Sequence, residues 1–305
     1  MTGVPEVRFW LLDTGYCSAS EHHLMRGAEH KTVKTHALVI LIEHPQAGWI
    51  LFDTGYAPRL LKAFKSFPFQ IYGAITPVNT RSDWSAVAQI AKLGLEPKDI
   101  SKVIVSHFHA DHISGLRDFA TSRLIASREA LKDVRGKSGL AALRRAFVPQ
   151  LMPDSLDRFV LIDRFDSAVL GPFGATHDLF DDGSLRLLRL PGHARGQLGL
   201  LAQTTIGPVL FAADGAWLSA AVRENRPPAA LASRLVGDSR VTVETLRKLH
   251  EFAQAHPDVW IVPSHCPEVA ALITRGQPRA FSGRAAIDQT SEDSNTKDSK
   301  AEDRA

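Results

Sequence analysis

Short apolar runs alternate along the chain with segments in which apolar residues recur every three or four positions. A short apolar run predicts a buried strand, whereas the longer spacing predicts a helix with one buried face. The helical pattern is clearest at 83–93, where Ser82 is a candidate N-cap and Gly94 a candidate C-cap, and at 241–255. The other predicted elements are interrupted helical segments at 130–147 and 220–235, and strands at 7–12, 37–42, 49–52, 102–105, 123–126, 185–190, 198–202, 208–212 and 259–262.

The interleaved strands and helices predict one mixed α/β domain over residues 1–281. The pattern does not divide cleanly into two units, although a length of 305 residues would allow two domains. The remaining segment, 282–305, is rich in Ser, Asp and Lys and nearly free of large apolar residues. Such a segment cannot bury enough apolar surface to offset its ordering entropy, so we expect a disordered tail.

Composition and charge argue against several classes of protein. The formal net charge is +3, from 36 basic and 33 acidic residues, which is too balanced to indicate a nucleic-acid partner. No apolar run approaches the ~18 residues of a membrane span, and the first residues lack the pattern of a signal peptide. Two cysteines, Cys17 and Cys266, cannot form a disulfide framework. We therefore expect a soluble, cytoplasmic protein with reduced thiols.

A dense histidine cluster supplies the candidate chemistry. The segment 106–112 has the sequence SHFHADH and directly follows a predicted strand. Imidazole and carboxylate groups are preferred ligands of Zn²⁺ and similar divalent ions. In extended backbone, His107 and His109 point the same way, because side chains alternate along a strand. Asp111 and His112 follow as the chain turns, so they can face a second metal.

Three other predicted strands are each followed, within a few residues, by a further potential ligand. These ligands are His193 after 185–190, Asp214 after 208–212, and His265 after 259–262. Ligands and substrates of layered α/β proteins gather at the loops beyond strand ends. Together with the cluster, these residues provide five histidines and two aspartates, which is enough for two metals that share one carboxylate.

The order H-x-H-x-D-H, PGH, a strand followed by Asp, and a strand followed by SH resembles the metallo-β-lactamase superfamily, and the matching order covers 33–267. The resemblance implies an α/β fold of four layers, an αβ/βα sandwich, with a two-metal site at one sheet edge. It also implies that Asp53, in a DTG segment, orients a metal-binding histidine. The implied ligands are His107, His109 and His193 for metal 1, Asp111, His112 and His265 for metal 2, and Asp214 as the bridge.

Within this superfamily, the segments DTG, SHFHADH, PGHARGQLGLL and VLFAADGAW are most similar to the N-acyl-homoserine lactonase branch. The resemblance implies a hydrolase in which a metal-bridging hydroxide opens a lactone or cleaves a carboxylic ester of a small, partly apolar molecule. Asp111 and Asp214 are then candidate catalytic residues. Zn²⁺ fits the two metal positions best, although Mn²⁺, Fe²⁺ and Co²⁺ suit the same ligands. Relatives often dimerise, so a homodimer is the implied assembly.

One position departs from that branch. Its members commonly have a Tyr three residues after the bridging Asp, and the Tyr hydroxyl assists at the substrate carbonyl. In this chain the position is Trp217, whose indole N–H donates a hydrogen bond but has no acidic hydroxyl. Trp217 is therefore the third candidate catalytic residue, and the substitution leaves the identity of the ester open.

An aromatic insert at 60–77 is the candidate substrate pocket. We hypothesise that it caps the metal site and lines an apolar pocket for an acyl chain or an aromatic group. Core packing or a dimer contact would explain the same composition equally well. The residues proposed for the pocket are Phe64, Phe67, Phe69 and Tyr72.

Three alternative functions remain open. A thioesterase is the second enzyme interpretation, because departure of a thiolate needs less assistance and tolerates Trp217. A phosphodiesterase is also open, although the near-neutral charge and the lack of a basic arm argue against a long polyanionic substrate. The interpretation from a different class is a metal-containing ligand-binding protein, which would bind its ligand without turnover.

Overall fold

A computed structural model of the chain describes residues 3–230 and 237–281. The predicted tail at 282–305 lies outside the described residues, as do the last five positions of the predicted helical segment 220–235. Every predicted strand has a counterpart in the structure, and the described residues contain four more strands. Within these residues, no helix is both long and apolar enough to cross a membrane.

The first sheet is mixed and has eight strands. They are β1 (Arg8–Ser20), β2 (Thr32–His44), β3 (Gly48–Phe52), β4 (Val78–Asn79), β5 (Ile100–Val105), β6 (Arg123–Ser127), β7 (Phe159–Ile162) and β13 (Arg279–Phe281). The order across the sheet is β13-β1-β2-β3-β5-β6-β7, and β4 pairs with β1. Strands β3, β5, β6 and β7 are parallel, so their carboxyl ends meet at one edge of the sheet.

The second sheet has five strands. They are β8 (His177–Asp178), β9 (Leu185–Arg189), β10 (Leu198–Thr204), β11 (Gly207–Ala213) and β12 (Trp260–Pro263). Their order is β12-β11-β10-β9-β8. Strands β11 and β12 run parallel, and the other pairs are antiparallel.

Helices cover the outer face of each sheet. Between the sheets, Phe9, Phe52 and Phe211 belong to one buried apolar cluster, and the rings of Phe9 and Phe211 are 5.3 Å apart. A second buried cluster lies between the first sheet and its helices, and a third lies between the second sheet and its helices. The three clusters separate four layers, which is the predicted αβ/βα sandwich. The helices are α1 (Glu21–Leu24), α2 (Pro58–Ala63), α3 (Phe69–Ile75), α4 (Ala86–Ala91), α5 (Ala110–Ile113), α6 (Arg128–Val134), α7 (Gly139–Leu143), α8 (Ser219–Glu224), α9 (Ser239–Ala255) and α10 (Pro267–Ala270).

One helix prediction was wrong in detail. The N-cap of α4 is Ser85, whose Oγ accepts from the Ala88 N–H at 3.4 Å; Ser82 instead begins a short 3₁₀ turn. The interruption predicted within 130–147 is present: the segment forms two helices, because the chain between α6 and α7 turns through Gly136 at φ +73°.

Candidate metal centre

The loop after β5 carries the dense histidine cluster, as the pattern predicts. His107 continues from the strand, and His109 is the extended N-cap residue of α5. Asp111 and His112 lie in the single turn of α5, so their side chains leave the backbone in a new direction. All three histidines are buried, whereas the Asp111 side chain is 16% exposed.

The other candidate ligands come from loops that follow β9, β11 and β12. The loop after β9 runs against α9 at Gly192, where φ is +125° and an added Cβ would lie 2.4 Å from the Thr242 nitrogen. This close approach holds His193 next to the cluster, and only glycine permits it. Asp214 follows directly after β11, and His265 lies two residues beyond β12.

The seven predicted ligands meet in one centre. His193 Nε2 lies 2.8 Å from His109 Nδ1 and 3.1 Å from Asp214 Oδ2. On the other side, His265 Nε2 lies 2.9 Å from Asp214 Oδ2 and 3.4 Å from Asp111 Oδ2. In each of three overlapping groups the donor atoms lie within 4.8 Å of one another: His107, His109 and His193; His107, His112 and Asp214; and Asp111, His112 and His265.

The donor atoms of this centre are those that a pair of divalent cations requires. Ten buried polar side-chain atoms have no hydrogen-bond partner among the described residues, and four of them belong to this centre: His107 Nε2, His112 Nε2, His193 Nδ1 and Asp214 Oδ1. His112 Nε2 and Asp214 Oδ1 are 3.2 Å apart without being aligned for a hydrogen bond. Since unpartnered buried polar atoms are costly, their concentration in one place indicates a cation site, and the residues fit it.

Burial and charge divide the histidines into two sets. Burial holds the pKa of His107 and His193 well below 6.5 and lowers the pKa of His109 to about 4, so these rings are neutral donors. Burial alone would also lower the pKa of His265, but Asp214 and Asp111 raise it to about 9.

Neighbouring carboxylates explain why the pKa values of His112 and His265 are raised, unlike those of the other three histidines. Burial opposes ionisation of Asp214, yet His265, His193 and His112 hold its pKa well below its usual range. Similarly, Asp53, Asp214 and Asp111 outweigh burial and raise the pKa of His112. Without a cation, protons on His112 and His265 therefore balance the buried negative charge, and divalent cations would take over this role.

Asp53, which the resemblance implies to be an orienting residue, contacts the candidate ligand His112. It lies directly after β3 at φ 62°, and its Oδ2 is 2.7 Å from His112 Nδ1. The same carboxylate accepts hydrogen bonds from the Ser106 N–H at 2.8 Å and the Ser106 hydroxyl at 2.7 Å. With Nδ1 donating to Asp53, the Nε2 atom of His112 is left free to bind a cation.

Two residues of the centre were missed in the sequence. Ser106 joins Asp53 to the loop after β5, and its position immediately before the first histidine is a signal that could have found it. The carbonyl oxygen of His36 accepts a hydrogen bond from His265 Nδ1. No local pattern indicates this second contact, because the two residues are 229 positions apart.

A cavity of about 200 Å³ opens beside Asp111, His193 and Asp214. Phe64 and Tyr72 line it, as predicted for the insert. Phe67 does not, because its side chain is 68% exposed to solvent, and Phe69 does not, because it is buried in the core under the first sheet. The other apolar and aromatic residues of the wall include Leu24, Tyr56, Leu60 and Val78.

Trp217 borders the same cavity and contacts the bridging candidate. Its Nε1–H donates to Asp214 Oδ2 at 3.2 Å, and its ring packs edge-on against His193 with ring centroids 5.5 Å apart. The thiol of Cys266 contacts the Ser219 hydroxyl at 3.2 Å, and burial raises the pKa of this thiol. Cys266 is therefore a protonated packing residue at neutral pH.

Known proteins with similar sequences include lactonases. The N-acyl homoserine lactonase AttM of Azorhizobium caulinodans is 27% identical over 266 residues, which cover 84% of this chain and 95% of AttM. AttM of Agrobacterium fabrum is 26% identical over 274 residues, which cover 87% of this chain and 95% of that protein.

Solved structures with the same fold include an N-acyl homoserine lactone hydrolase with the product N-hexanoyl-L-homoserine at its catalytic metal centre. It is 18% identical, with a TM-score of 0.68 over 90% of this chain and 98% of that chain. AidC, a dizinc quorum-quenching lactonase, is 15% identical, with a TM-score of 0.58 over 87% of this chain and 91% of that chain. The sequence profile of the metallo-beta-lactamase superfamily matches residues 34–264. With the fold and this match together, the chain belongs to the metallo-β-lactamase superfamily.

Proposed function

We propose that this protein is a metal-dependent hydrolase that opens the ring of an acyl-homoserine lactone or a closely related lactone. The observation that carries the proposal is the position of the seven-ligand centre at the base of an apolar cavity. The relatives named as N-acyl homoserine lactonases support the choice of substrate class.

The chain supplies ligands for two divalent cations, and Zn²⁺ is the proposed metal because the donors are imidazole and carboxylate. When bound, such cations polarise a carbonyl oxygen and lower the pKa of water towards neutrality. The proposed ligands are His107, His109 and His193 for one cation, Asp111, His112 and His265 for the other, and Asp214 for both.

Asp111 is proposed to move the proton of the reaction. Its carboxylate is the most exposed of the ligand side chains and it lines the cavity. Hydrolysis adds a water oxygen to the lactone carbonyl carbon and breaks the bond from that carbon to the ring oxygen. Asp111 can accept the proton that the water loses and return it to the departing ring oxygen, which leaves a hydroxy acid.

Trp217 is proposed to act on the carboxylate rather than on the substrate. Its N–H is already used by Asp214, so it orients the bridging ligand and presents the indole ring to the cavity. The carbonyl then receives no hydrogen bond from a phenol at this position. This arrangement also suits an ester with a better leaving group, which keeps an acyl thioester as the second candidate substrate.

The test is a substrate panel on protein of measured metal content. Acyl-homoserine lactones, an aryl ester, an acyl thioester and a phosphodiester are assayed with wild-type protein, chelator-treated protein and the Asp111→Asn variant. We expect lactone turnover that both controls abolish. Faster thioester than lactone turnover would replace the proposed substrate with the thioester, and phosphodiester turnover alone would replace it with a phosphodiester. Tight lactone binding without turnover of any substrate would indicate a binding protein.

The cavity predicts a dependence on acyl-chain length at Phe64. Replacing Phe64 with Ala is expected to raise KM for a decanoyl lactone by roughly 10-fold, which corresponds to a few lost methylene contacts, with little change for a butanoyl lactone. Steady-state kinetics on both substrates measure the difference. Phe67→Ala is the matched control, because that ring belongs to the same insert but is exposed. Equal changes in KM for both chain lengths would contradict an acyl-chain site at Phe64.

A further inference from the structure

Three polar side chains from distant parts of the sequence meet behind the candidate ligand His265. Asp13 Oδ2 accepts a hydrogen bond from Arg275 Nε at 2.8 Å and lies 2.9 Å from His36 Nδ1. Asp13 is 1% exposed and His36 is 8% exposed. A buried carboxylate loses its hydration, and the contacts with Arg275 and His36 offset the free-energy cost of burying Asp13. The three residues are called the Asp13 cluster below.

The Asp13 cluster is held rigidly on the side of β1. Asp13 begins the first DTGY segment of the chain, and a bulge in β1 lies between it and Tyr16. The Asp13 Oδ1 atom accepts from the Gly15 N–H at 3.1 Å, which fixes the second carboxylate oxygen. The Arg275 guanidinium lies over the rings of Tyr16 and Trp84, at 4.6 and 5.2 Å from their centroids. Ion pair and cation–π contacts thus define a single orientation of Arg275.

His36 connects this cluster to the metal centre. Its side chain contacts Asp13, and its main-chain carbonyl oxygen accepts from His265 Nδ1. Its main-chain N–H donates back to the His265 carbonyl oxygen at 3.4 Å, and the neighbouring bond from the Leu38 N–H to the Ser264 carbonyl oxygen is 3.1 Å. These bonds leave His265 Nε2 directed at Asp214 and Asp111.

Arg275 closes the other end of the same segment. The chain runs from His265 through α10 to Arg275, which returns to β1 and binds Asp13. The segment is therefore attached to the first sheet twice, at its start by main-chain bonds to β2 and at its end by an ion pair between partly buried Arg275 and buried Asp13. The candidate ligands His107, His109 and His193 lie in other loops, and among the described residues none of them forms a hydrogen bond or ion pair with this segment. The two cation positions therefore depend on the segment unequally.

We infer that Asp13, His36 and Arg275 are positioning residues that orient His265 and so determine the affinity for the second cation. The inference rests on the proposed two-metal centre, but it does not depend on which ester is the substrate. Residues that orient a metal ligand typically change metal affinity by roughly 10–100-fold when they are replaced.

The test is a Co²⁺ titration of metal-free protein, followed by the visible absorption of the bound ion. Asp13→Asn and Arg275→Gln each remove the ion pair, and Arg275→Lys keeps the charge. We expect the first Co²⁺ to bind as in wild type and the second to bind roughly 10–100-fold more weakly in Asp13→Asn and Arg275→Gln, with partial recovery in Arg275→Lys. Arg158→Gln is the matched control, since Arg158 donates to the carbonyl oxygens of Phe119 and Ser122 away from the metal centre.

The possible outcomes separate this inference from the proposed function. Unchanged affinity for the second Co²⁺ in both variants overturns it, and so does an equal loss at both positions or an equal effect of Arg158→Gln. A wild-type protein that binds a single Co²⁺ overturns the two-metal centre and the inference together. A wild-type protein that binds two ions but does not hydrolyse lactones overturns only the proposed substrate.

Discussion

Replacing Asp214 with Asn is expected to lower kcat/KM by at least 10³-fold, on the order expected from losing a central charge of a two-metal site, and to reduce the bound metal from two ions to one or none. Asp214 is 3% exposed, and its carboxylate lies next to ligands of both cation positions, at 3.1 Å from His193 and 2.9 Å from His265. Asparagine keeps the shape but has one neutral oxygen and an NH2 group with two N–H donors, so it cannot bridge two cations.

Two measurements on the Asp214→Asn variant distinguish loss of the centre from loss of the fold. Metal content by elemental analysis reports the centre, and circular dichroism with thermal unfolding reports the fold. Asp178→Asn is a suitable control, because that carboxylate accepts from the main-chain N–H groups of Gly183 and Phe180 and belongs to no ligand group. Full metal content with wild-type kcat/KM in Asp214→Asn would exclude the bridging role.

Replacing Asp53 with Ala is the second change with a large expected effect, and it acts on both stability and metal binding. We expect the free energy of unfolding of the metal-free protein to fall by about 3–5 kcal/mol, the cost of breaking a buried charge pair. We also expect the affinity for the cation that His112 binds to fall by roughly 10–100-fold. Asp53 is 1% exposed. Among the described residues, it is the only carboxylate in hydrogen-bond contact with His112 Nδ1.

Chemical denaturation and Co²⁺ titration of Asp53→Ala measure these two effects. The matched control is Asp182→Asn, since Asp182 also pairs with a buried histidine, His44, at 3.2 Å but lies at the far end of β9 from the metal centre. Ser106→Ala removes only the hydroxyl hydrogen bond to Asp53. We expect its free energy of unfolding to fall by about 1 kcal/mol. If Asp53→Ala and Asp182→Asn had the same Co²⁺ affinity, Asp53 would be a structural residue only.

The contact between Trp217 and Asp214 changes how the departure from the lactonase branch is understood. A tyrosine at this position would present a hydroxyl, whereas the indole presents its single N–H, and that donor is taken by the carboxylate. Under the proposed function, the indole would support the proposed bridging ligand instead of the reacting carbonyl. The distinction bears on the substrate panel, because a thioester needs less assistance at its leaving group than a lactone.

Much of the fold was predictable because it depends on local patterns. Each of the nine apolar runs became a strand, and the helix at 241–255 became α9 with Asp238 as its N-cap. The runs that were missed are short; β4 and β8 contain two residues each and exist only because a neighbouring strand offers hydrogen bonds. The N-cap of α4 was misplaced because Ser82 and Ser85 are equally good caps in sequence, and packing selects between them.

The aromatic insert shows where local composition stops being informative. Four aromatic residues close in sequence have three different environments: Phe64 and Tyr72 line the cavity, Phe69 is buried in the core, and Phe67 is exposed. Phe64 follows α2, Phe67 lies in the turn between the two helices, and Phe69 and Tyr72 belong to α3, so the packing of the insert decides what surrounds each ring. Their composition predicted an apolar insert but could not assign a ring to the pocket.

The sequence by itself determined the strands, the residue types of the candidate metal ligands, and their placement directly after strand ends, because each follows from contacts and geometry within a few residues. Only the tertiary structure decided which atoms meet. The contact of Asp53 with His112 spans 59 positions, that of His36 with His265 spans 229, and that of Asp13 with Arg275 spans 262. Such contacts arise from the packing of two sheets and their loops, and hydrogen-bond distances of about 3 Å between distant residues leave no periodic trace in the chain.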